Sequence, residues 1–145
     1  MIGAYKTYDQ SLSNKYDTPG RKVVKQFLSK QWNLVAEDYE TYKVDLICKR
    51  DGVPKIFVEV EARTPFAEEF PFETVHVPSR KTKLFGNDLP TIYFVVNKFF
   101  TKALWVNTNK ITQYPLIEQP NRLVLKGEMF YDVPKNEFKK VYVGN

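Results

Sequence analysis

Cysteine and histidine are nearly absent from this chain, and with them go several kinds of chemistry. Its 145 residues hold one cysteine, Cys48, and one histidine, His76. A single thiol excludes an intramolecular disulfide and any zinc site built from cysteines. A histidine-based metal site or a Ser-His-Asp triad would have to pass through His76, which has no nucleophile elbow or cysteine partner to support it. His76 is therefore read as structural or substrate-contacting. No apolar run approaches the roughly 20 residues of a membrane span. The opening Met1-Ile2-Gly3-Ala4-Tyr5 leads into polar sequence without a secretory core. There is no glycine-rich phosphate loop, internal repeat or low-complexity stretch. These absences predict a soluble, cytoplasmic protein with no membrane partner, and a lone free thiol suits a reducing compartment.

What remains is a basic, aromatic-rich chain. With 43% apolar and 15% aromatic residues, it is long enough for one domain over 1–145 with a real core, and short for two. Lys and Arg number 22 against 17 Asp and Glu, a net charge of +5 that favours an anionic partner such as nucleic acid and is also ordinary among soluble proteins.

The rest of the chain is organised around residues 42–63, YKVDLICKRDGVPKIFVEVEAR. Val44, Leu46, Ile47 and Cys48 make one β-prone run, Asp51-Gly52 supplies turn chemistry, and Ile56, Phe57, Val58 and Val60 make the next, which predicts a hairpin. Asp45, Glu59 and Glu61 lie within these runs, where ionised carboxylates need a compensating charge, most often a divalent cation. Glu59 and Glu61 share a strand face with Phe57, while Val58 and Val60 point the other way. The turn decides where Asp45 falls. A plain two-residue turn sets it opposite Val58, whereas a three-residue loop or a bulge sets it opposite or diagonal to Glu59. Two readings of the acids stay open: a metal cluster, or strand-end carboxylates paired with Lys43, Lys55 or Arg63.

An Asp on one strand, a turn, and Glu-x-Glu on an apolar partner strand resemble the core of the PD-(D/E)XK nuclease superfamily, whose hairpin carries Asp and then Glu-x-Lys. Asp45 matches the Asp, Glu59 the Glu, and Glu61 stands where Lys is usual, as it does in some restriction endonucleases. The resemblance spans about residues 22–105. It implies an α/β fold, a restriction-endonuclease-like mixed central sheet flanked by helices, with extra C-terminal β segments. It also implies a Mg²⁺- or Mn²⁺-dependent DNA endonuclease, with Asp45, Glu59 and the Val60 carbonyl on the metal and Glu61 orienting or deprotonating the attacking water. Arg63, Arg80 and Lys81 would hold phosphates. The alternative is a non-catalytic nucleic-acid-binding or protein-interaction module.

The flanking sequence yields further expectations. The arm 1–16 interleaves Tyr5, Lys6, Tyr8, Lys15 and Tyr16, suited either to stacking on unpaired bases or to packing on the domain. Asp17-Thr18-Pro19 starts a helix running to about Gln31, with Val23, Val24, Phe27 and Leu28 on its apolar stripe and Arg21, Lys22, Lys25 and Lys30 elsewhere. Lys22 and Lys25 join the candidate substrate-binding residues. Residues 34–39 read as a strand, 64–72 as a packed loop, and Val75-His76-Val77 as an extended approach to a helix opening at Pro78. That helix ends near Phe85 and carries Arg80, Lys81 and Lys83, a basic face for phosphates or a solvated one. The apolar run 91–97 predicts a central strand parallel to the second hairpin strand, and 102–107 predicts another. Short β segments at 111–116, 122–126, 129–133 and 138–143 form a C-terminal extension, 108–145, that either widens the sheet or caps it. One small domain suggests recognition of a DNA junction, flap or end by a homodimer.

Overall fold

The computed structural model describes residues 18–39, 44–63, 66, 69–79, 88–121 and 124–144. The first element among these residues is the helix α1 (Thr18–Trp32). Val24, Phe27 and Leu28 on α1 are buried at helical spacing, with Val23 and Trp32 packed beside them. Asn33 then takes a left-handed φ of 54°, and the Leu34 N–H donates to the Leu28 carbonyl at 3.1 Å. The left-handed Asn33 turns the chain out of the helix, and the Leu34 bond satisfies one of its last carbonyls. Arg50 donates to the Trp32 carbonyl at 2.6 Å, satisfying another terminal acceptor.

Among the described residues nine strands follow: β1 (Val35–Asp38), β2 (Leu46–Arg50), β3 (Val53–Arg63), β4 (Thr74–Pro78), β5 (Thr91–Asn97), β6 (Lys102–Asn107), β7 (Leu116–Asn121), β8 (Val124–Pro134) and β9 (Lys139–Tyr142). Six of them form one sheet in the order β1-β2-β3-β5-β6-β9, and β4-β8-β7 form a second. The β3–β5 pairing is parallel, as the apolar run 91–97 predicted, and the other pairings are antiparallel. All seven residues of β5 are buried, because the strand is covered on both faces.

The two faces are covered differently. Leu46, Cys48, Val58, Val60, Ile92, Phe94 and Val96 meet α1, and Trp32 meets Trp105 edge-on with ring centroids 5.0 Å apart. On the opposite face Tyr93, Val95, Leu104 and Val106 meet Val75, Val77 and Val133 of the second sheet, together with Phe66, Phe70 and Phe138. The expected helix-flanked α/β sheet is therefore corrected. Strands predominate among the described residues, the layers run helix, sheet, sheet, and Thr18–Trp32 is the one α-helix among those residues. The sequence-level reading missed this because β4 pairs with β8, more than 50 residues away, which no local periodicity reveals.

The C-terminal extension does two things. β9 widens the first sheet beside β6, while β7 and β8 build the second. Two short segments expected over 122–126 and 129–133 are one continuous strand, β8, and the segment expected over 111–116 is mostly turn. Pro78, expected to open a helix, instead ends β4, and the rest of that expected helix from residue 80 on lies outside the described residues, as does the arm 1–16.

Candidate active site

The geometry of the site begins at the hairpin turn. Asp51 and Gly52 both take positive φ, 54° and 78°, the signature of a two-residue type I′ turn. Arg50 pairs with Val53 and Lys49 with Pro54, but Cys48 pairs with Ile56, so Lys55 is an extra residue on β3. This bulge moves the register by one. Beyond it Leu46 faces Val58, and one further step sets Asp45 at the level of Glu59. Pro54, with no N–H to offer a ladder, sits beside the irregularity.

The β2–β3 ladder stops at Leu46, while β3 runs on to Arg63. Asp45 occupies the edge this leaves. The Val60 N–H donates to its Oδ2 at 2.9 Å, and its Oδ1 lies 3.7 Å from an Arg21 guanidinium nitrogen in the first turns of α1. Helix and strand come close here. A Cβ on the buried Gly20 would stand 3.5 Å from a Val60 methyl group. Glu59 is 8% exposed on the face opposite α1, next to Tyr93 in the parallel register. Val60 turns both its N–H and its carbonyl toward the β2 edge, since a strand residue presents the two groups on one side.

Glu61 and Arg63 are drawn into a different arrangement. Glu61 Oε2 accepts from Arg63 Nε at 2.7 Å and from the Tyr93 hydroxyl at 2.5 Å, and Arg63 Nη2 lies 2.6 Å from the same oxygen. Arg63 also donates to the His76 carbonyl on β4 and to the Tyr93 oxygen at 3.2 Å. Burial works against the guanidinium charge. The adjacent Glu61 carboxylate, with Tyr93, more than offsets it, and the Arg63 pKa moves upward. Burial raises the Tyr93 pKa well above its usual 10, and the negative charge of Glu61 raises it further. This trio ties β3, β5 and β4 together across the two sheets. The strand does continue through Ala62, but the Arg63 guanidinium is engaged within the protein.

No protein-family model, curated protein or solved structure matches the chain.

The other residues singled out from the sequence are scattered. Lys25 pairs with Asp38 at 3.0 Å, and Lys22 is exposed on α1. Arg80, Lys81 and Lys83 lie outside the described residues, as does Asp17. His76 Nε2 stands 3.2 Å from Asp132 Oδ1, within ion-pairing range but without the alignment of a hydrogen bond, which suits the structural reading of His76. Among the described residues, no three His, Cys, Asp or Glu side chains gather as a metal cluster. Asp45 sits at the β2 edge beside Val60, and Glu59 is the preceding residue of β3, on the face opposite α1. Sequence reasoning missed Tyr93 and Arg21. Tyr93 needed the β3–β5 register to find it, whereas Arg21 was visible as a base one turn into a helix leading to an acidic hairpin.

Proposed function

We propose that the β2–β3 edge is the metal centre of a Mg²⁺- or Mn²⁺-dependent DNA endonuclease. The bulge at Lys55 carries this reading, since it alone converts a register with Asp45 level with Val58 into one with Asp45 level with Glu59. Two carboxylates and a main-chain carbonyl suit Mg²⁺, which keeps several waters and leaves room for substrate phosphate. Asp45, Glu59 and Val60 would hold the ion, which supplies polarisation of a phosphodiester oxygen and a more acidic bound water. The chain's own residues prepare the centre. The Val60 N–H and Arg21 orient Asp45, and the Glu61–Arg63–Tyr93 network fixes the end of β3. Lys22 and Lys25 add positive charge on α1 for the DNA backbone. The substrate is a DNA junction, flap or end, met by a homodimer in the cytoplasm, where the buried Cys48 stays reduced.

A second reading has its own observation. Glu61, at the position where Lys is usual in the nuclease superfamily, is committed to Arg63 and Tyr93. This favours a nucleic-acid-binding module without catalysis. Supercoiled, linear and branched DNA incubated with Mg²⁺, Mn²⁺ or EDTA separate the two. Metal-dependent cutting that disappears in Asp45→Ala and Glu59→Ala, with DNA binding retained, supports the endonuclease. Cutting that survives either substitution removes the centre. Salt-dependent binding with no cutting in any metal supports the module.

A further inference from the structure

We propose that strand β9 is a docking edge for an extended acidic segment of a partner protein, which joins the six-stranded sheet as its seventh strand. The proposal is independent of the endonuclease reading.

β9 pairs with β6 on one side and ends the sheet on the other. The Val143 N–H donates to the Thr101 carbonyl at 2.9 Å, so Val143, Val141 and Lys139 aim their main-chain groups at β6. Alternation turns those of Lys140 and Tyr142 outward. Two donors and two acceptors at this spacing match the backbone of another extended chain. The other three edges differ. On β4 the His76 carbonyl already accepts from Arg63. β7 contains Pro120 and a register shift, both of which hinder pairing. β1 carries Glu37 and Asp38, and Lys49 and Lys25 already neutralise them. β9 has neither proline nor register shift, and its Tyr142, 73% exposed, is the most exposed large apolar side chain among the described residues.

Charge selects the partner. Lys140 shares the Glu69 carboxylate with Lys102. Lys139 lies over the Trp105 ring at 5.3 Å, and Lys135, which lines one cavity with Lys140, donates to the Phe70 carbonyl at 2.6 Å. Lys135, Lys139 and Lys140 therefore hold one carboxylate among them, and a shared one. Glu137 accepts from the Tyr114 hydroxyl instead. The surplus of positive charge repels a like-charged strand, a second β9 included, and favours acids on the strand opposite. The β1 edge of a second copy brings acids that its own lysines already neutralise. The occupant is thus an acidic strand from another protein.

The test is fluorescence anisotropy of a labelled, acetylated and amidated hexapeptide of alternating Glu and Val. Two controls accompany it: a Gln–Val version, and a Glu–Val version with N-methylated central amides. Wild type should bind the acidic probe more tightly than the Gln–Val version. N-methylation should weaken binding roughly 5- to 150-fold, the range for two lost hydrogen bonds. Tyr142→Pro should bind roughly 2- to 12-fold more weakly than Tyr142→Ala, the range for one. Both variants lack the ring, and proline at 142 removes an outward N–H while sparing the β6 ladder. Lys139→Gln/Lys140→Gln should lose the preference for Glu over Gln. In wild type, the probe at ten times its Kd should slow hydrogen exchange of the Lys140 and Tyr142 amides about tenfold, a readout that needs no variant to fold. Equal binding of the N-methylated and plain peptides overturns the added strand, as does exchange at these two amides that the probe leaves unchanged. A wild type that binds no acidic probe overturns it too. Self-association of the protein that the probe competes away assigns the edge to a second copy and overturns the partner. None of these outcomes bears on the metal centre, whose readout is cutting.

Discussion

Replacing Glu61 with Ala should destabilise the protein by about 3 kcal/mol, chiefly by stranding Arg63. The Arg63 and Glu61 side chains are only 17% and 22% exposed, so water can replace little of what is lost. Removing one member of a buried ion pair costs about 3–5 kcal/mol, because the remaining charge is left without compensation. The lower end applies because Arg63 keeps the His76 carbonyl and the Tyr93 oxygen. In a domain of this size, that loss lowers Tm by about 10 °C. Urea unfolding at neutral pH, followed by circular dichroism, measures it. The double variant Glu61→Leu/Arg63→Met provides the internal check, since replacing both partners by apolar groups removes the stranded charge. It should be more stable than Glu61→Ala alone. A Glu61→Ala variant within about 0.5 kcal/mol of wild type would refute a network that bolts β3 to β4 and β5, as would a double variant whose loss equals the sum of the singles.

Four further outcomes follow from the same geometry. Tyr93→Phe removes a buried hydroxyl from Glu61 while leaving the ion pair, and should cost about 1–2 kcal/mol in urea unfolding. Asn97→Ala should cost about 2–4 kcal/mol, because the fully buried side chain accepts from the Thr101 and Lys102 N–H groups at 2.8 and 3.0 Å and shapes the β5–β6 turn. Burial pushes the Cys48 thiol up from 9.0 to about 12. The neutral thiol is favoured by folding, so this stability is fully present below pH 9 and is lost as pH rises toward 12, by about 4 kcal/mol at most. Urea midpoints at pH 8 and pH 10.5 should therefore differ less in Cys48→Ala than in wild type. Gly20→Ala should stabilise the protein by about 0.5–1 kcal/mol, because the added methyl meets Val60 at an ordinary contact distance and Ala loses less entropy in a helix; a lower Tm in that variant would mean that α1 packs on β3 more closely than its geometry indicates.

Local signals carried the reading of this chain through the hairpin and on to the strands β5 and β6. The stripe of α1, the Asp51-Gly52 turn, the two hairpin strands and the buried run of β5 all depend on neighbours within a few residues, and all are legible in the sequence. The position of Asp45 was legible only as a pair of alternatives, because a one-residue bulge changes the register without changing the hydrophobic pattern. Of the second sheet, β segments were legible at β4 and β8, but not their pairing. β4 gains its partner only when β8 arrives, and the exposed-looking alternation of Thr74, His76 and Pro78 describes either an edge strand or a loop. The surroundings of Glu61 were hidden for the same reason. In the sequence it is one of two acids at i and i+2, expected to orient or deprotonate a water while Glu59 holds the metal. In the fold, Tyr93 from β5 and Arg63 from the same strand converge on Glu61, while Asp45 turns to the β2 edge and Glu59 lies between them. Two carboxylates on one strand face thereby have different surroundings: Glu61 meets Arg63 and Tyr93 across the layers, and Glu59 is buried level with Tyr93 of β5.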